Sequence, residues 1–127
     1  MSERLVVIID DDEMFLMLAG TILEGAGYKV HTISDSVAAR SYIMSGAKPA
    51  VIIVDVMMPD LKGDEVARLL KENAATAAIP ILFASGMSME ELDELVRETG
   101  ANGYLAKPFS FDQLVDSVRS IISQSSR

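Results

Sequence analysis

Val51-Ile52-Ile53-Val54-Asp55, followed by Val56-Met57-Met58-Pro59 and then Gly63, is the stretch on which the fold turns. An unbroken apolar run of this length, rich in β-branched residues, reads as a strand buried on both faces, as parallel sheets require. It stops at a carboxylate, and Pro59 and Gly63 mark the loop behind it. Upstream, Leu5 to Ile9 is a run of the same kind and stops at Asp10-Asp11-Asp12. Between the two runs, Phe15, Leu18, Ala19, Ile22, Leu23 and Ala26 recur at helical spacing, which predicts a helix over about Glu13 to Ala26 with Gly27 at its stop. Tyr28 to Ile33 alternates and reads as a less buried strand. Ser34 to Ser36 offers N-caps for a helix to about Ser45, ended by Gly46.

Downstream of Asp55 the same alternation continues. A helix is expected over about Asp64 to Asn73 and a strand over Ile79 to Ala84. Ser88-Met-Glu-Glu91 has the form of a capping box, opening a helix to about Glu98 with Met89, Leu92, Leu95 and Val96 on its apolar face. Gly103 to Ala106 is the last strand. Ser110-Phe-Asp-Gln113 is a second capping pattern, before a stripe of Phe111, Leu114, Val115, Val118, Ile121 and Ile122. Strands alternating with helices predict an α/β fold: a five-stranded parallel sheet, doubly wound with five helices through right-handed crossovers. The flavodoxin-like strand order 2-1-3-4-5 suits this length, and it puts the ligand crevice outside the carboxyl ends of the strands.

Those ends carry the chemistry. The first strand ends in Asp10-Asp11-Asp12, the third in Asp55, the fourth in Ser85-Gly86 and the fifth in Lys107-Pro108. Each alone is a helix cap or a turn. Together, at neighbouring strand ends, they form a cluster of carboxylates with one lysine and one hydroxyl. A like-charge pair 4 Å apart costs about 4 kcal/mol at an effective dielectric of 20. Lys107 offsets part of that, and the remaining excess suits a hard divalent cation: Mg²⁺, with Mn²⁺ as a substitute. Such a site fits phosphoryl transfer. With no Cys or His nearby, the nucleophile is a carboxylate, and Asp55 ends the central strand.

The bulk numbers agree with one domain. The chain has 127 residues, half of them hydrophobic, and no cysteine, so neither disulfides nor thiolate metal sites enter. A single domain over 1–127 is expected, with its core at about 4–123 and a frayed Ser-Gln-Ser-Ser-Arg tail. The net charge of −8 argues against unaided nucleic-acid binding. The apolar runs are too short for a signal-peptide core or a membrane span, which predicts a soluble, cytoplasmic protein.

The motifs Val7-Ile8-Ile9-Asp10-Asp11-Asp12, Val54-Asp55-Val56-Met57-Met58-Pro59 with Gly63, Ser85-Gly86, and Gly103-Tyr104-Leu105-Ala106-Lys107-Pro108-Phe109 together resemble the receiver domain of two-component response regulators, over nearly the whole chain. The resemblance implies a chemotaxis-type single-domain receiver in a phosphorelay, with Asp55 as phosphoacceptor. It implies that Asp11 binds Mg²⁺ directly, Asp10 mainly through water, and that Asp55 and the Met57 backbone carbonyl complete the protein ligands. Ser85 is the switch hydroxyl, Tyr104 the aromatic that turns inward with it, and Lys107 the phosphoryl-binding lysine, before a cis Lys107-Pro108 bond. Met57 and Met87 stand where side chains flank the attacking water in dephosphorylation. Two apolar groups there predict slow loss of the phosphoryl group.

The resemblance further implies docking of a histidine kinase or His-phosphotransferase on the first helix, where Met14 and Met17 lie off the apolar stripe. A downstream protein target would use the face of the fourth helix, last strand and last helix, as a monomer or a phosphorylation-dependent dimer. No enzymatic turnover is expected. A Mg²⁺-dependent aspartyl-phosphate phosphohydrolase is the competing reading, but such enzymes usually carry a second Asp where this chain has Met57. A receiver excised from a longer regulator or hybrid kinase is the other alternative. Ser85 in place of the common Thr, Gly86 in place of the frequent Ala, and Lys62 before the loop glycine depart from the usual pattern.

Overall fold

In the computed structural model residues 4–125 are described, and these form five strands and five helices in strict alternation. The strands are β1 (Leu5–Ile9), β2 (Lys29–Ile33), β3 (Val51–Asp55), β4 (Ile81–Ser85) and β5 (Gly103–Ala106). The helices are α1 (Glu13–Gly25), α2 (Ser36–Met44), α3 (Gly63–Glu72), α4 (Met89–Thr99) and α5 (Phe111–Ser125). All strand pairs are parallel, in the order β2-β1-β3-β4-β5.

The unbroken apolar runs are explained by burial on both faces. Val7, Ile9, Ile52, Val54, Ile81 and Phe83 point to a layer closed by α2, α3 and α4. Val6, Ile8, Val51, Ile53, Leu82 and Ala84 point to a layer closed by α1 and α5. Burying each such Val, Ile or Phe side chain contributes about 1.5–3 kcal/mol. Edge strand β2 has only Ile33 buried, which is why its sequence alternates.

Side-chain caps fix the starts of α1, α2, α4 and α5, whereas Lys62 before α3 makes no side-chain capping bond. Asp12 caps α1, Asp35 (from the Ser34–Ser36 stretch) caps α2, and the Ser88/Glu91 capping box opens α4. Ser110 and Gln113 exchange the same pair of bonds before α5, at 3.1 and 2.7 Å. Gly100 ends α4 at φ 78°, a conformation that favours glycine.

Some expected boundaries and burials are corrected. Strand β4 starts at Ile81, because the Ile79 N–H is turned back to the Thr76 carbonyl and Pro80 has no N–H to give a ladder. Tyr28 lies outside β2, its N–H satisfied by Leu23 at the end of α1. Leu18, Met89 and Phe111 share their helices' apolar stripes yet are 47, 62 and 59 % exposed, since each sits on the stripe's outer margin. Helix α5 continues through Ser123 to Ser125, where fraying is expected from sequence; Ser126 and Arg127 lie outside the described residues.

Candidate functional site

The parallel register brings the carboxyl ends of β1, β3, β4 and β5 to one edge. There Asp10, Asp11 and Asp55 place carboxylate oxygens within 4.8 Å of one another. Their surroundings differ. Asp10 is buried, and its Oδ1 accepts the Asp12 N–H at 2.9 Å while its Oδ2 accepts from Lys107 Nζ at 2.8 Å. Asp11 is exposed. Asp12 serves the helix, accepting the Met14 and Phe15 N–H groups at 3.0 and 3.2 Å. So the plain capping reading holds for Asp12 alone among the three.

Asp55 is half-buried, and its Oδ1 accepts the Met57 N–H at 3.1 Å. Burial pushes its carboxyl above the usual range, the Met57 N–H and Lys107 pull it down, and the charges of Asp10 and Asp11 raise it. Removing oxygen-rich, like-charged groups from water in this way favours a bound cation. The donor set, three carboxylates with hard oxygens at one spot, fits Mg²⁺.

Lys107 is the cationic member. Its N–H donates to the Ser85 carbonyl at 2.7 Å, and its Nζ also lies 4.3 Å from the centroid of the Phe15 ring. The Lys107–Pro108 peptide bond is cis. Ser85 is fully buried, with its Oγ accepting the Met87 N–H at 3.2 Å. Tyr104 is partly exposed on edge strand β5, paired in register with Phe83 of β4, while Ser85 pairs with Ala106; its phenol is raised above its ordinary pKa by hydrogen bonding to Asp93 of α4. Met57 is 62 % exposed and Met87 packs partly against the core.

The β3–α3 loop that carries Met57 is held at both ends. Arg40 of α2 donates to the Asp60 carbonyl at 2.9 Å and pairs with Glu65 of α3 at the same distance. Gly63 packs so closely that an added Cβ would lie 3.0 Å from the Val56 Cα and 3.1 Å from the Phe83 ring.

Met14 and Met17 are both exposed on α1. Beside them the structure adds a groove of about 410 Å³ between α1 and the segment after β5, lined by Phe15, Leu18, Ile22, Pro108, Phe109 and Leu114 among others. Helical spacing alone places Phe15 and Leu18 on a core stripe. The one sequence signal for the groove is Phe109 and Phe111 directly behind Lys107-Pro108.

Comparison with known proteins gives concordant results. The model of the response regulator receiver domain family matches residues 6–119. The polar-differentiation response regulator DivK of Brucella anthropi is 25 % identical over 92 % of this chain and 94 % of its own length. The phosphate regulon transcriptional regulatory protein PhoB of Pseudomonas aeruginosa is 31 % identical over 96 % of this chain, which spans 53 % of that protein. Among solved structures, a response regulator receiver domain protein from Clostridium thermocellum superposes with a TM-score of 0.85 at 26 % identity, covering 97 % of each chain. The chemotaxis response regulator CheY4 of Vibrio cholerae does so with a TM-score of 0.83 at 27 % identity, covering 94 % of this chain and 99 % of that one.

Proposed function

Because the chain belongs to the response regulator receiver domain family, we propose that it accepts a phosphoryl group on Asp55 from a histidine kinase or His-phosphotransferase and thereby switches a protein-binding surface. The observation that carries this reading is the convergence of Asp10, Asp11 and Asp55, with Lys107 Nζ 2.8 Å from Asp10, at adjacent strand ends. Asp10, Asp11, Asp55 and the Met57 carbonyl would hold Mg²⁺, which when bound draws charge from the phosphoryl oxygens.

The residues divide the transfer as follows. An Asp55 carboxylate oxygen attacks phosphorus; the P–O bond to Asp55 forms as the P–N bond to the donor ring breaks, and that ring, already protonated on its other nitrogen, departs as neutral imidazole with the P–N electron pair. Lys107 pairs with a phosphoryl oxygen, and the Ser85 hydroxyl turns from Met87 to donate to another. Tyr104 leaves Asp93 and turns inward, which alters the face made by α4, β5 and α5. That face is strongly acidic along α4, with Glu90, Glu91, Asp93 and Glu94, so a basic protein surface suits it better than nucleic acid. The exposed Met14 and Met17, and the apolar groove at Phe15 and Leu18, support donor docking on α1.

The test is direct. The protein is incubated with Mg²⁺ and a small acyl phosphate and weighed intact beside Asp55→Asn. One phosphoryl adduct on the wild type and none on the variant is expected; an adduct that survives in Asp55→Asn refutes the assignment. Steady hydrolysis of a chromogenic phosphate ester would instead favour a phosphohydrolase. No helix among the described residues is long and apolar enough to cross a membrane.

A further inference from the structure

Four residues close a ring of contacts at the end of β1. The Asp12 N–H holds Asp10 Oδ1, and Asp12 Oδ1 accepts the Phe15 N–H. The Phe15 ring carries Lys107 Nζ 4.3 Å from its centroid, and Nζ returns to Asp10 Oδ2 at 2.8 Å. The ring is itself held edge-to-face by Phe109, at 5.9 Å and 87°, from the same loop as Lys107.

The charges at the site restrict what can usefully stand at position 15. The ammonium has three N–H donors, and Asp10 takes one of them. Another carboxylate beside it would hold Lys107 harder, yet would add negative charge where Asp10, Asp11 and Asp55 already repel an incoming phosphoryl group. An aliphatic side chain would fill the space with no attraction for the ammonium. An aromatic face attracts the cation without a formal charge.

We propose that Phe15 is a positioning residue for Lys107: its ring keeps the ammonium at the carboxylate cluster, with donors free for a phosphoryl oxygen. This rests on the phosphoryl-binding role of Lys107 proposed above. The same ring lines the groove on α1, so a donor seated there touches the residue that sets Lys107.

The test compares wild type, Phe15→Leu and Phe15→Tyr, using a small acyl phosphate that needs no docking groove. Phe15→Leu keeps an apolar side chain; Phe15→Tyr keeps the aromatic face. Phe15→Leu is expected to take up phosphoryl about threefold to tenfold more slowly. It should also lose the ring-current displacement of the Lys107 Hε signals in NMR. Phe15→Tyr restores both, and Mn²⁺ alone binds all three with like affinity because its ligands are untouched. Labelling of Phe15→Leu at the wild-type rate, or equal slowing in both variants, overturns the inference alone. A wild type that takes up no phosphoryl group removes the phosphoacceptor reading and this inference with it.

Discussion

Hydrolysis of an aspartyl phosphate at Asp55 needs a water placed beside it, and the two residues assigned to flank that water are Met57 and Met87. A thioether is a weak acceptor and no donor. The Met57 backbone N–H is committed elsewhere, to Asp55 Oδ1. The phosphorylated protein should therefore decay slowly. Met57→Asn, which leaves the backbone carbonyl in place, should speed decay about twofold to tenfold, the equivalent of one net hydrogen bond of about 0.5–1.5 kcal/mol. Intact mass followed in time after donor removal checks this; a wild-type adduct gone within seconds counts against it. Residue roles were only partly legible in the chain. The joint placement of Asp10, Asp11, Asp55, Ser85 and Lys107 follows from the strand ends, but three identical aspartates do not announce that the third is the cap and the first the partner of Lys107. Nor does helical spacing show that Phe15 underlies a lysine contributed by β5's loop.

At the level of elements, the order of strands and helices was readable because each buried strand is an unbroken apolar run and every helix start except that of α3 carries its own cap. What escaped is set by backbone details outside the pattern: the turn at Thr76 to Ile79 that delays β4, and how far the margin of an apolar stripe reaches from the core. The β3–α3 loop shows such a detail at Gly63, whose N–H donates to the Val56 carbonyl at 3.1 Å. Because the nearest atom to an added Cβ is backbone, and the next belongs to the fully buried Phe83, neither can yield freely. Gly63→Ala should cost about 1–3 kcal/mol, as overpacking does. Since the displaced loop carries Met57, the variant should also bind Mn²⁺ more weakly. Thermal melting and metal titration check the two effects; a variant as stable as wild type would show that the loop relaxes at no cost.

For the molecule as a whole, the carboxylate cluster sets function against stability. Burial and the charges of Asp10 and Asp11 raise the Asp55 pKa in the folded state, against the pull of Met57 and Lys107. A carboxyl raised on folding binds its proton more tightly in the native state than in the unfolded chain. Its stabilising effect is then present below the ordinary Asp range and lost as pH rises through the raised value. At neutral pH in chelator, ionised Asp55 thus burdens the fold, and Asp55→Asn should melt at a higher temperature than wild type. The gap should shrink on acidification below the ordinary Asp pKa, where the wild-type carboxyl is protonated in both states. Mg²⁺ should act in the opposite direction at neutral pH: a ligand at a hundred times its Kd stabilises by about 2.7 kcal/mol. Wild type, with all its carboxylates, should gain more from it than Asp55→Asn, so the gap between the two narrows as Mg²⁺ is added. Melting curves of both proteins across pH, with chelator and with Mg²⁺, measure each sign separately. A wild type that melts above Asp55→Asn at neutral pH in chelator would mean that Lys107 and the Met57 N–H outweigh burial at Asp55.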